Sequence, residues 1–373
     1  MNKPVVVYGA SGYTGRLVCE YLRELNLPFV AAGRDKGRLQ VGLDTVPGLE
    51  TAEYEIAEVT HSVEELTKLL AGAKVLCNTV GPFMEFGPAA VEACYNAGVH
   101  YTDTTGEQDW LIWCKENWGA RFAEKGLLLT PGIAQMYTVG EIAANYVLET
   151  PGIDSLDMAV FWKGTPTVAS TATIVQNAIL SKAYFLEENK LVEWPVDAGL
   201  YELTVPGQHE LGLALPWGGT SSPIWFADDP RVSSCKVLGG VINRALMLGV
   251  PQIIAALLPA VEGKSLEETR AILAQTSAGI RSEYPPRENP RINISIDSVH
   301  GTGPLARAHC VIYGNCNYKQ TGLLQAYAAR QLIAGETRKV GFGSACQAFG
   351  HRELFATLKA FGLVFDPVVT VNS

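Results

Sequence analysis

Gly9, Gly12 and Gly15 stand three residues apart in the run GASGYTG, between a short apolar stretch and an amphipathic one. Glycine suits a chain that must turn sharply, bring its backbone against a pyrophosphate and pack a helix on a strand. The phosphate would meet amide N–H groups at the positive end of the helix that follows. Val5–Tyr8 reads as the strand before the loop. Leu17, Val18, Tyr21, Leu22 and Leu25 recur at helical spacing after it. Gly9, Ser11, Gly12, Tyr13, Thr14 and Gly15 are therefore the candidate cradle of a dinucleotide site. A plain turn is the alternative for a lone glycine triplet, and the strand–loop–helix context argues against it.

A second strand, Phe29–Ala32, ends on Gly33-Arg34-Asp35, where the adenosine ribose of a dinucleotide would lie. An acidic side chain there accepts the ribose 2′-OH of NAD, whereas an arginine pairs with the 2′-phosphate of NADP. Arg34 comes first, so NADP(H) is the expected cofactor and NAD the alternative. The competing reading makes Arg34 a surface residue and Asp35 a helix cap. A fourth strand over 74–79 runs into Thr79-Val80-Gly81-Pro82-Phe83. Ligands of parallel sheets bind beyond the carboxyl ends of the strands. These five residues are expected to border the cofactor, with Phe83 near the nicotinamide, unless they form only a strand-to-helix turn.

Hydride transfer needs positioning, exclusion of water and, for most acceptors, a proton donor. Asp103 and Glu107, in YTDTTGE after a fifth strand, are candidates for orienting or proton transfer; local capping is the competing role. Tyr137 and Lys163 follow predicted strand ends and are the other candidate donors, against packed and solvated roles. His300 and His309 fall on neighbouring strands as core or surface histidines. No cluster has metal-ligand spacing, so no metal site is expected. The chain lacks Tyr-x-x-x-Lys, G-x-x-x-x-G-K-[ST], H-E-x-x-H and G-x-S-x-G, which removes support for short-chain dehydrogenase, P-loop, zincin and serine-hydrolase readings.

These residues require a doubly wound scaffold. Strands alternating with helices over the first third predict a parallel Rossmann-type sheet. Ser62 and Glu65 read as a capping box, Pro88 as a helix start and Thr138–Glu141 as another capping box. Beyond Pro131 the pattern becomes α+β. A strand over Ser155–Lys163 and a hairpin of Arg291–Val299 with Ala306–Tyr313 make a largely antiparallel sheet. Helices are expected over Thr171–Tyr184, Asn243–Leu258, Ser265–Ala274 and Tyr318–Ile333, and the tail gives one more helix and a final strand. The apolar stretch Ala245–Val261, interrupted by Pro251, Gln252 and Pro259, reads as a buried or cavity-lining helix rather than a membrane span.

The 373 residues suit two domains, and 47% hydrophobic with 18% charged residues suits a globular core. A net charge of −9 argues against a nucleic-acid partner. Eight cysteines without a C-x-x-C pair read as reduced thiols, and the absence of a signal-like opening predicts a cytoplasmic protein. From 151 to 279 arginine occurs only at 231, 244 and 270, beside Trp162, Trp194, Trp217 and Trp225. That composition suits an apolar or aromatic small-molecule substrate better than a polycarboxylate, although ordinary core tryptophans would look the same.

GASGYTG, Gly33-Arg34 and the run from Gly81 to Glu107, GPFMEFGPAAVEACYNAGVHYTDTTGE, resemble the saccharopine dehydrogenase-like oxidoreductases, in particular the branch with the trans-acting enoyl reductases. The resemblance covers about Val5–Glu107 and resumes in NYKQTGLLQAYAARQLIAGETRKVGFGSACQAFG. It implies a Rossmann NADP domain over 1–133 and 338–373, and a substrate and dimerisation domain over 134–337, compatible with a homodimer. It further implies reduction of a C=C bond conjugated to a carbonyl. A saccharopine-type imine reductase or amine dehydrogenase is the alternative, and a non-catalytic NADP sensor the third reading. Ile133 to Thr138 replaces the family's phenylalanine-aspartate-serine run, which leaves substrate and catalytic residues open.

Overall fold

The computed structural model describes residues 3–164, 166–195, 198–216, 221–280 and 288–372. The first part runs β1 Val5–Tyr8, α1 Tyr13–Glu24, β2 Phe29–Gly33, α2 Lys36–Leu43, β3 Tyr54–Glu58, α3 Val63–Leu69, β4 Val75–Asn78, α4 Phe83–Ala97, β5 His100–Asp103, α5 Gln108–Glu124, β6 Leu128–Thr130 and α6 Gln135–Leu148. There follow β7 Ser155–Lys163, α7 Val168–Leu180, β8 Tyr184–Glu187, β9 Lys190–Glu193, β10 Tyr201–Leu203, β11 Gly212–Ala214, α8 Ser222–Phe226, β12 Ser234–Val241, α9 Arg244–Val261 and α10 Leu266–Ile280. The last elements are β13 Ile294–Thr302, β14 Arg307–Asn315, α11 Asn317–Ala334, β15 Gly341–Phe342, α12 Ala345–Phe349, α13 His351–Ala360 and β16 Val368–Asn372.

The chain divides into two units. One comprises 1–105, 110–138 and 318–363; the other comprises 106–109, 139–317 and 364–373. The first holds a seven-stranded sheet in the order β15-β6-β5-β4-β1-β2-β3, parallel throughout. Strands buried on both faces read as continuous apolar runs, as VVVY and FVAAG do. One face packs Val6, Tyr8, Leu76 and Tyr101 on α3, α4 and α5 through Leu66, Val91, Cys94, Trp110 and Phe122. The alternate residues point to the other face. There Cys77 and Thr102 meet the backbone and side chain of Gln325 from α11.

Three corrections follow from this unit. The expected domain boundary at 337/338 falls one helix late, because α11 already belongs here. A Cβ on Gly322 would lie 2.9 Å from Leu17, so α11 seats directly on α1 and helps close the face that α3–α5 leave open. Residues 364–373, expected in the first domain, belong to the second unit, where β16 completes a sheet edge. Pro88 is likewise inside α4 rather than at its start: the helix begins at Phe83, with Pro82 at the cap position.

The second unit carries a sheet ordered β16-β14-β13-β7-β12-β8-β9. It is antiparallel except for β7 with β12. The predicted hairpin is β13–β14, registered from Ile294 with Asn315 to Thr302 with Arg307. Helix α6 begins at Gln135, three residues before the expected capping box, so Thr138 is an interior residue and not a cap. On α6, Gly140 lies against Met158, Val160 and Asp297 of the sheet.

The apolar stretch at 245–261 is not buried. Helix α9 runs through both prolines, and 11% of its residues are buried. Met247 and Leu257 face inward, Leu257 into a small cluster with Val175 and Leu273, while Leu246, Leu248 and Leu258 are 45–50% exposed. By length and composition alone, α9 is the one helix among the described residues apolar enough to cross a membrane. Trp217 lies outside the described residues.

Candidate functional site

In the first unit β1, β4 and β5 end in one row. Tyr8 pairs with Asn78 in register and Asn78 with Asp103. The glycine loop leaves β1 at this edge. Gly9 is left-handed, φ +89°, and a Cβ there would sit 2.7 Å from Thr79 Oγ1. Thr79 donates its hydroxyl to the carbonyls of Tyr8 and Gly9, tying the end of β4 to the loop. A Cβ on Gly15 would meet the Gly9 carbonyl oxygen at 2.3 Å, so this glycine permits the helix–strand contact. Gly12 differs: its Cβ would touch only the Gly9 carbonyl, at 3.2 Å. It stands at the cap of α1 with no side-chain cap and no acidic residue in the first turn. The helix terminus is thus kept clear for an anion. Ser11, Tyr13 and Thr14 are half-buried around it, with the Ser11 backbone against Gly42 of α2 and the Tyr13 ring edge-on to Tyr318.

Gly33 ends β2 and Arg34 follows it, exposed, with no hydrogen-bond or ion-pair partner among the described residues. Asp35 accepts the Arg38 N–H at 2.8 Å and caps α2. Its carboxylate is therefore engaged in the local role, and Arg34 is left as the open recognition group.

At the end of β4, Asn78 accepts the Val80 N–H at 3.0 Å and donates to the Tyr101 hydroxyl at 3.0 Å. Tyr101 donates onward to Asp103 at 2.8 Å. The loop through Val80, Gly81 and Pro82 is held by this chain, and the Gly81–Pro82 peptide is cis. Phe83, expected beside a nicotinamide, is instead 6% exposed in the core, its ring under Gly81. A phenylalanine opening a helix over an apolar face buries its ring there.

Asp103 is fully buried. One carboxylate oxygen accepts the backbone N–H of Thr105 and Gly132, and the other accepts Tyr101 and the indole of Trp110. Burial lifts its pKa to about 6, and the four donors oppose that rise. Such a group holds β5, the loop after β6 and α5 together; no part of it is presented to a ligand. Gln325, which the sequence reading did not single out, acts likewise. Its amide donates to the carbonyls of Asp103 and Ile133 and accepts the Thr102 hydroxyl at 2.6 Å.

Of the remaining candidates, Tyr137 stands half-buried in the first turn of α6 within the same unit. Glu107 is 3% exposed and belongs to the second unit. Its neighbour Gln108 brackets the Tyr184 backbone N–H and C=O at the start of β8. Lys163 closes β7, exposed. The indole N–H groups of Trp162, Trp194 and Trp225 and the hydroxyls of Ser221 and Ser222 are buried without hydrogen-bond partners among the described residues. His309 accepts or donates with Ser298 at 2.8 Å and stacks on His300. Among the described residues no three His, Cys, Asp or Glu side chains form a metal site.

A further residue of the first unit escaped the sequence reading. His61, in the loop after β3, places Nδ1 2.9 Å from the Tyr8 hydroxyl, their rings parallel, and meets the Phe86 ring edge-on. Burial and the Arg34 charge lower its pKa from the ordinary value of 6.5.

Residues 5–121 match the saccharopine dehydrogenase NADP-binding domain, and residues 138–373 match a family of unknown function, DUF5938. A lipid droplet localized protein of Caenorhabditis elegans is 29% identical over 151 residues, covering 38% of this chain and 35% of its own. A trans-acting enoyl reductase of Mycobacterium ulcerans is 32% identical over 115 residues, 30% of this chain and 27% of its own. A mouse saccharopine dehydrogenase-like oxidoreductase is 30% identical over 139 residues, 34% and 32% respectively. The chain thus aligns with about a third of the length of the curated relatives it matches. A solved NADPH-dependent reductase involved in bacilysin biosynthesis has 11% identity and a TM-score of 0.30, covering 35% of this chain and 76% of that one.

Proposed function

The chain belongs to the DUF5938 family, carried behind a saccharopine dehydrogenase NADP-binding domain, and from that premise we propose that it is an NADPH-dependent reductase of an apolar small molecule, acting on a C=C bond conjugated to a carbonyl. The observation that carries the cofactor half is the unpartnered Arg34 guanidinium beyond β2, beside a helix terminus that Gly12 leaves clear. A planar guanidinium fork matches a phosphate in two hydrogen bonds, and NAD offers no phosphate at that position. Support for the substrate half is compositional. The second unit carries Trp162, Trp194 and Trp225 and few arginines for carboxylates, a composition that suits an apolar or aromatic substrate.

When bound, NADPH supplies the hydride. The residues of the chain then have separable tasks. The first turn of α1 takes the pyrophosphate and Arg34 the 2′-phosphate. The Asn78–Tyr101–Asp103 chain fixes the Val80–Pro82 loop at the sheet edge. Asp103 has every lone pair in use, so a proton for the product comes from elsewhere; Tyr137 and Lys163 are the side chains to test.

Incubation with NADPH and a panel of α,β-unsaturated acyl compounds is expected to oxidise the cofactor, and amine plus keto acid is not. Oxidation only with the amine and keto acid together would establish the imine reading. Tight NADPH binding with no oxidation across both panels would replace catalysis by sensing.

A further inference from the structure

We propose that His61 is a second recognition group for the 2′-phosphate of NADPH, and that it takes up a proton when that phosphate arrives beside Arg34. The inference rests on the cofactor reading above and names the residue that would make it dependent on pH.

The geometry begins with Tyr8. It is the last residue of β1, 1% exposed, and its ring lies on the α3–α4 face. Only the hydroxyl reaches the carboxyl edge of the sheet, where His61 receives it through Nδ1. A tyrosine hydroxyl both donates and accepts. While it donates to Nδ1, the ring proton sits on Nε2, which has no partner among the described residues. When the ring gains a second proton, Nδ1 becomes a donor and the Tyr8 hydroxyl turns to accept. Nε2–H stays available in both states, so the pair tolerates either charge without breaking. Phe86 closes one side of the ring with its edge, 5.3 Å between centroids.

The charges around this ring favour such a response. Tyr8 belongs to β1 and Arg34 follows β2. Glu58 ends β3 and accepts the Lys36 N–H. Glu64 and Glu65 of α3 are both engaged by Lys68. Glu85 lies on α4. Gly33 pairs with Glu58 and its carbonyl accepts the Val59 N–H at 2.9 Å, so Arg34 and His61 follow adjacent strand ends at the same edge. Burial disfavours the imidazolium, and the Arg34 charge adds to that. A phosphate dianion set against Arg34 reverses that balance: it cancels the guanidinium and adds an attractive charge. The free protein thus holds His61 neutral near neutrality, and NADPH recruits the proton. NADH, with a 2′-OH, does not.

Titration calorimetry in two buffers of different ionisation enthalpy, at about pH 7, counts the protons. NADPH is expected to take up a fraction of a proton, and NADH none. The phosphate's own second ionisation, near pH 6, works in the opposite sense. The difference between the wild type and His61→Gln therefore isolates the histidine. Gln keeps an acceptor for Tyr8, and a melting curve checks that the variant folds. In His61→Gln the uptake should vanish and the NADPH dissociation constant should rise about tenfold at about pH 6.5, as for loss of a charge-assisted hydrogen bond. NADH affinity should change less than about twofold, within the effect of a neutral surface change. Equal weakening of NADPH and NADH would make His61 an adenine contact and overturn the proposal, as would identical proton uptake in wild type and variant. If the wild type bound neither cofactor, the cofactor reading itself would fail. NADPH binding that needs Arg34 but is indifferent to His61 would remove His61 alone.

Discussion

Trp110 donates its indole N–H to the Asp103 carboxylate at 2.8 Å, inside the core that α5 shares with the parallel sheet. An acid placed at the carboxyl edge of a Rossmann sheet invites a catalytic reading. Its four donors and complete burial assign it instead to positioning.

Asp103→Asn tests that assignment. Asparagine has one acceptor oxygen for four donors, and leaving buried donors unmet costs roughly 1–3 kcal/mol. The pH dependence carries a sign. The folded pKa is raised from 3.8 to about 6. The contribution of Asp103 to stability is then fully present below the unfolded value and is lost as pH rises through about 6, a change of roughly 3 kcal/mol. Urea unfolding at about pH 4 and about pH 7 should show the wild-type advantage over Asp103→Asn shrinking as pH rises. A gap that stays constant, or widens, would mean that the four donors outweigh burial.

Gly15 and Gly12 should part company on substitution. Gly15→Ala drives a methyl to within 2.3 Å of a backbone carbonyl, which cannot move without displacing β1 from α1. It should destabilise the fold by roughly 1–3 kcal/mol, as overpacking does. In Gly12→Ala the nearest atom lies at 3.2 Å, so the fold should survive while the pyrophosphate loses its approach. Thermal melting with and without NADPH separates the two effects. A Gly12→Ala protein that NADPH stabilises as well as the wild type would reduce the loop to a turn.

The scaffold was legible because its signals are local and redundant. A buried strand, three glycines and an amphipathic helix in sequence admit few arrangements, and the β13–β14 hairpin announces itself by its turn residues. What could not be read depends on partners distant in the chain. Asp103 and Gln325 are 222 residues apart, yet the glutamine amide binds the Asp103 carbonyl. Tyr8 and His61 are 53 apart. No periodicity in the sequence pairs them. The placement of α11 in the first unit was missed for the same reason: its apolar face shows that it is covered, not by what. Helix α9 fails oppositely, since an apolar composition predicts burial only when another element is free to provide it.

That exposure is itself testable. Leu246, Leu248 and Leu258 stand outward on α9, and Leu257 and Leu273 meet inside the small cluster. Replacing the three outward leucines by glutamine should change stability by less than about 0.5 kcal/mol each, because about half of each side chain already faces solvent. Leu273→Ala, fully buried, should cost roughly 2–5 kcal/mol. Denaturant titration of both variants decides it. A large loss from the outward set would show that the face is covered in solution.

Arg34→Ala carries the cofactor assignment. The guanidinium is exposed and has no partner among the described residues, so its removal disturbs no hydrogen bond of the fold and should leave the melting temperature unchanged. Only a ligand with a 2′-phosphate should register the loss. A hydrogen bond to a charged group contributes about 1.5–3 kcal/mol, which corresponds to roughly a 10- to 150-fold rise in the NADPH dissociation constant. NADH should bind the variant about as well as the wild type, so the preference between the two cofactors narrows or inverts. Arg34→Lys restores charge without the planar fork and should recover part of the loss. Direct titration of each protein with both cofactors, by the quenching of its tryptophan fluorescence, gives the six dissociation constants. If NADPH and NADH weaken in parallel, Arg34 stacks on or orders the adenosine common to both, and the preference for NADPH must be sought in another residue.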